Sequence, residues 1–75
     1  MDAFQLVSRA LASRLGLELS EITPEAELIE LGVDSLDSAE LLMELEEKLG
    51  VEIEASKQIK TVSDVVAEIE RAVGA

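Results

Sequence analysis

Apolar side chains recur at helical spacing in three separate stretches of the chain, and the gaps between them hold its single Pro and three of its four Gly. Phe4, Val7, Leu11 and Leu15 fall on one face, with Asp2 ahead of them as an N-cap and Gly16 just past the end. This predicts a first helix from about Asp2 to Leu15. A second periodic stretch runs from Ser35 to Leu49 and stops at Gly50. A third carries Val62, Val65, Val66, Ile69 and Val73 behind Thr61 and Asp64, which have the spacing of a capping box. The intervening stretch from Gly16 to Asp34 lacks helical period but holds Leu17, Leu19, Ile22, Leu28, Leu31 and Val33, so a long loop laid over the core is predicted there. Loops of this length in small domains are often functional. Ala55 to Lys60 has room for only a single helical turn. The expected fold is all-α: one domain over residues 1–75, a small three-to-four-helix bundle with a long first loop.

The second stretch is two-faced. At about 100° per residue, Leu41, Leu45, Leu49 and Leu42 form one compact apolar arc with Ser38 inside it, the predicted core face. Glu47, Glu40, Glu44 and Asp37 lie opposite. Beside those carboxylates, off the core arc, stand Leu36 and Met43. Single exposed apolar residues are ordinary. Two on one helical face, seven residues apart and flanked by acids, suggest a docking strip for a partner helix with apolar and basic side chains, and Met suits a surface that must fit several partners. The competing expectation is that the long loop covers both.

Charge sharpens that picture. The chain carries a formal −11 over 75 residues. Between Glu18 and Glu54 lie Glu18, Glu21, Glu25, Glu27, Glu30, Asp34, Asp37, Glu40, Glu44, Glu46, Glu47, Glu52 and Glu54, against Lys48 alone, so this segment holds −12 and the rest +1. Such a field repels nucleic acid and anionic membrane and speeds encounter with basic protein surfaces. The bland alternative is an acidic face that merely solvates. With no Cys and no His, a disulfide framework, a common zinc site and a Cys or His catalytic centre are all excluded. A calcium loop is disfavoured, because Asp34, Asp37 and Glu40 do not follow its ligand spacing. No apolar run exceeds three residues, and Asp2, Arg9 and Arg14 stand where a signal peptide would be apolar, so a soluble, cytoplasmic protein is expected.

Leu31-Gly32-Val33-Asp34-Ser35-Leu36-Asp37-Ser38 puts a serine at the junction of a Gly-containing loop and an acidic helix. The structural expectation for Ser35 is an N-cap, its hydroxyl accepting a bond from a backbone N–H two or three residues on. A nucleophile acting within this chain is disfavoured, since a serine hydroxyl needs an adjacent base and the chain has no His, nor a Lys placed nearby in sequence. A residue modified by a separate enzyme needs no internal base. A helix N-terminus also favours a phosphodiester, through unpaired N–H groups and the helix dipole.

Asp34-Ser35-Leu36 at the loop-to-helix junction, the acidic second helix, the long first loop and the chain length together closely resemble acyl carrier proteins, over about Phe4 to Val73. The tripeptide alone is weak; the combination is specific. The resemblance implies that Ser35, between Asp34 and Leu36, carries a covalent 4′-phosphopantetheine arm delivered from coenzyme A by a phosphopantetheinyl transferase. Acyl groups would ride as thioesters on the arm's thiol, which explains how a chain without Cys could do thiol chemistry. By the same likeness Leu36, Asp37, Glu40, Met43, Glu44 and Glu47 match the partner-recognition face, with Asp34 beside it. Leu41, Leu45, Leu49 and Ile53 match the side that lines the acyl pocket. The implied partners are the transferase and acyl-transferring or synthase enzymes with basic docking surfaces. The chain would be a monomeric carrier, not an enzyme, with no resident metal, no nucleic-acid partner and no membrane insertion.

One departure bears on cargo. From Ile53 to Thr61 the chain is about two residues shorter than common fatty-acid-synthesis members, in the segment that forms the family's short third helix beside the acyl pocket. Fatty-acid, polyketide and specialised lipid pathways therefore all stay open. A peptidyl or aminoacyl carrier is the neighbouring alternative, although such carriers more often lack so dense an acidic second helix. An unmodified acidic interaction module is the alternative from a different class; it accounts for the charge but not for the serine at that junction.

Overall fold

The computed structural model describes residues 2–53 and 59–74. Among the described residues three α-helices form in the predicted order: α1 (Ala3–Leu15), α2 (Ser35–Leu49) and α3 (Val62–Ala72). The segment from 54 to 58, which includes most of the expected single turn between Ala55 and Lys60, lies outside the described residues; Ile59 and Lys60 are not helical.

Each helix starts where a side chain satisfies its unpaired N–H groups. Asp2 accepts from the Phe4 N–H at 3.0 Å to begin α1. At α3 the Thr61 hydroxyl accepts from the Asp64 N–H at 3.2 Å, and Asp64 Oδ2 accepts in return from the N–H groups of Thr61 at 3.0 Å and Lys60 at 2.9 Å. α2 ends on Gly50 at φ +67°, a left-handed conformation that side chains resist, with its N–H donating to the Glu46 carbonyl.

Those backbone donors hold the Asp64 carboxyl below its ordinary value, the Lys60 N–H contributing most and the Thr61 N–H next. A lowered folded-state pKa means that this stabilisation is present above the unfolded value and is lost as pH falls through the folded one. Asp64→Asn is therefore expected to flatten the acid limb of the stability curve below about pH 4. Thr61→Ala, which removes the reciprocal bond, is expected to cost about 1 kcal/mol, or roughly 4–8 °C in melting temperature for a domain of this size. An unchanged acid limb in the Asp64→Asn melting series would contradict the assignment.

The core joins all three helices and the loop. Val7, Ala10 and Leu11 of α1 cluster with Leu41, Leu42 and Leu45 of α2 and with Val62, Val65 and Ile69 of α3. Ile22, Leu28 and Val33 close the cluster from the long loop, while Phe4, Leu15 and Leu49 pack against it only partly buried. The loop does lie over the core, but not as structureless chain. Leu19–Glu21 makes a short 3₁₀ turn with a capping box between Glu18 and Glu21. Backbone bonds then stitch the loop to the entrance of α3: the Leu28 N–H donates to the Lys60 carbonyl at 2.8 Å, Val62 to Ala26 at 3.0 Å and Ser63 to Pro24 at 2.9 Å. Leu19 departs from expectation by facing solvent, and Leu17 and Leu31 are only partly buried. Pairing the loop with the strand-like approach to α3 fixes the chain that feeds into α2.

Candidate functional site

That feed ends in two anchors. The Val33 side chain is buried and its N–H donates to the Leu28 carbonyl at 2.9 Å, while Gly32 turns the chain with φ +97°. The next residue caps the helix. Asp34 Oδ1 accepts from the Asp37 N–H at 2.8 Å, and Asp37 Oδ2 accepts from the Asp34 N–H at 3.4 Å. The expectation that Ser35 is the N-cap is thus corrected: Asp34 takes that role, and Ser35 is the first helical residue. Asp wins because it supplies the carboxylate acceptor and has an acidic residue three positions on, whereas three positions after Ser35 stands Ser38. The Ser38 hydroxyl donates to the Asp34 carbonyl instead, at 3.0 Å.

The consequence for chemistry is direct. Ser35 is exposed at the first turn of α2 and its hydroxyl has no capping duty. Of the first helical N–H groups, which lack acceptors within the helix, that of Asp37 is taken by Asp34. Those of Ser35 and Leu36 have no acceptor among the described residues and stand as donors beside the hydroxyl, the arrangement that suits a phosphodiester.

Down the rest of α2 the two faces separate as the periodicity predicts. Leu41, Leu42 and Leu45 are buried, whereas Leu36 is 66% and Met43 63% exposed. The long loop does not cover them. Asp34, Glu40 and Glu47 are exposed as well, and Asp37 and Glu44 are half-buried. Met43, Glu46, Glu47, Val51 and Glu52 line an acid-rimmed surface groove at the far end of the helix. There Glu46 reaches out of the helix to accept from the Ile53 N–H at 2.8 Å, holding the chain beyond α2 against it. Ile53 is buried with Leu41 and Leu45, while Leu49 is only partly so.

Two features escaped sequence reasoning. Ile29 is 77% exposed on the loop before the site, and an aperiodic loop gives no pattern from which to tell its outward side chains. Arg14, at the end of α1, bridges to α2: Nη1 donates to Glu40 Oε1 at 3.1 Å and Nη2 to Glu44 Oε1 at 3.4 Å. Lys48 Nζ also lies 3.8 Å from Glu44. The i, i+4 pair was readable from spacing; the interhelical one was not. Among the described residues no helix is long and apolar enough to cross a membrane, and no group of acidic residues is placed to hold a metal ion.

The site thus brings together an exposed serine on a capped helix start, an acidic helix and an outward apolar strip. Residues 5–70 match the family model described as "Phosphopantetheine attachment site". The chain is 48% identical over 73 residues to an acyl carrier protein of Helicobacter hepaticus, covering 93% of this chain and 96% of that protein. It is 47% identical over 73 residues to the acyl carrier protein of Helicobacter pylori strain G27, covering 93% and 94%, with the same figures for strain HPAG1. The chain belongs to the acyl carrier protein family and carries acyl groups by way of 4′-phosphopantetheine.

Proposed function

We propose that Ser35 is the attachment site and that the chain serves as a passive carrier, charged and unloaded by other enzymes. The observation that supports this most directly is the exposed Ser35 hydroxyl at the start of α2, freed from capping by Asp34. Ser35 Oγ would attack the pantetheine-side phosphorus of the coenzyme A diphosphate, forming the phosphodiester as the P–O–P bond breaks and adenosine 3′,5′-bisphosphate leaves. The hydroxyl proton would go to a base on the transferase, because this chain offers no His and no described Lys beside the serine, and the carboxylates of Asp34 and Asp37 are engaged with each other's backbone N–H groups. The N–H groups of Ser35 and Leu36 would orient the phosphate. A chain without Cys provides a clean assay. Thiol titration is expected to read zero before, and one per chain after, incubation with a phosphopantetheinyl transferase and coenzyme A. No gain of thiol would contradict the proposal.

Leu36, Asp37, Glu40, Met43, Glu44 and Glu47 are proposed as the face met by the transferase and by acyl-transferring or synthase enzymes. Their supporting features are the exposure of Leu36 and Met43 and the surrounding negative charge. The chain has no His, and the carboxylates of Asp34 and Asp37 beside Ser35 are engaged in the capping box, which favours a carrier over an enzyme. A monomer working in the cytoplasm is the setting these features suit, in a fatty-acid, polyketide or specialised lipid pathway.

The acyl chain is proposed to enter beside Leu41, Leu45, Leu49 and Ile53. Leu49 is the only one of the four that is incompletely buried, so entry would begin at its end of α2. Filling space in so small a core is expected to raise the melting temperature as the acyl chain lengthens. Identical melting of acylated and unacylated forms would show that the cargo is not held inside.

A further inference from the structure

The acidic stripe of α2 is not uniform. Glu40 and Glu44 are held by Arg14 at 3.1 and 3.4 Å, and Glu44 also faces Lys48 at 3.8 Å, so these four side chains together carry no net charge. Asp37 and Glu47 lie on the same face and pair with no cation among the described residues. An incoming basic group therefore meets unopposed charge near the attachment serine and at the far end of the helix, and a resident cation between them.

We propose that Arg14 is a specificity-determining residue for partner docking: reaching across from α1, it occupies Glu40 and Glu44 and so admits partners whose basic side chains fall on Asp37 and Glu47. This rests on the proposal that α2 is the recognition face. The bridge is solvent-exposed, and exposed bridges add little to stability. Its effect is expected on encounter, where a like charge at the contact point opposes a basic partner. A partner cation aimed at Glu40 or Glu44 must displace the guanidinium or approach it.

The test measures association of the unmodified chain with a phosphopantetheinyl transferase at low and high salt. Arg14→Met keeps the aliphatic stem but loses the charge. It is expected to associate about threefold faster at low salt, with a steeper salt dependence, and to converge on the parent rate at high salt. Arg9→Met removes the same charge from α1, where no ion pair to α2 is formed, and controls for net charge. It is expected to change the rate less; an equal change would overturn the proposal, as would an Arg14→Met rate that is unchanged or slower. With Glu40→Gln and Glu44→Gln already in place, Arg14→Met is expected to have no effect beyond that of Arg9→Met. Circular dichroism checks that each variant is folded. If the glutamine pair in the Arg14→Met background slows association while Arg14→Met alone does nothing, only the role of Arg14 falls. If neither changes the rate, the recognition face falls with it.

Discussion

Leu45→Ala is expected to remove a large share of the domain's stability, while Met43→Ala, two residues away on the same helix, leaves it nearly unchanged. Leu45 has no exposed surface and belongs to the buried cluster that also holds Val7, Leu11 and Ile69. Truncating a buried Leu to Ala costs about 2–5 kcal/mol through lost transfer energy and the cavity left behind. A chain of this length has a total stability of roughly 4–11 kcal/mol, and its core of three short helices has no disulfide to fall back on. Met43 is 63% exposed, so its truncation removes little buried surface. Thermal melts by circular dichroism decide the matter. Cooperative unfolding of Met43→Ala well below the parent would mean that this face is core, and the docking strip would have to be abandoned.

Reversing Glu40, Glu44 and Glu47 to Lys together is expected to slow association with the transferase by at least tenfold at low salt, and to make what remains less sensitive to salt. Leu36→Ala and Met43→Ala are expected to fail differently, by speeding dissociation, because an apolar contact is lost from the bound state rather than from the encounter. Within the triple variant the positions are not equal. Glu47→Lys alone removes an unpaired carboxylate, whereas Glu40→Lys also breaks the bridge to Arg14 at 3.1 Å and sets two cations face to face. Stopped-flow association and dissociation rates separate the two groups. Equal effects of charge reversal and apolar truncation on both rates would argue against a division between steering and contact.

Much of this organisation was legible because the signals are local. Asp2, Gly16, Gly50 and the Thr61–Asp64 pair bound the helices to within a residue, since capping is a contest over N–H and C=O groups that neighbours in sequence settle. Leu36 and Met43 could be placed off the core from helical period alone, and their exposure follows. The cap of α2 was misassigned although a signal existed: Asp34 is followed three residues later by Asp37, and a reciprocal pair outranks a lone serine. What could not be read is tertiary. Backbone bonds from Leu28, Val62 and Ser63 that stitch the loop to α3 involve groups every residue carries, so no side chain announces them. The reach of Arg14 to Glu40 spans 26 residues and depends on how α1 and α2 are set against each other. Ile29 sits in an aperiodic loop whose exposed positions only packing can decide.

The most direct test of the central claim, that Ser35 alone receives the arm, is intact mass after incubation with a phosphopantetheinyl transferase and coenzyme A, comparing the parent chain with Ser35→Ala and Ser38→Ala. Because Asp34 and not Ser35 caps the helix, Ser35→Ala is expected to melt within about 0.5 kcal/mol of the parent, as surface substitutions away from caps usually do. Loss of modification then reports on the hydroxyl and not on the fold. The parent and Ser38→Ala are expected to gain one arm each, and Ser35→Ala none. A folded Ser35→Ala chain that still gains the arm would contradict the account.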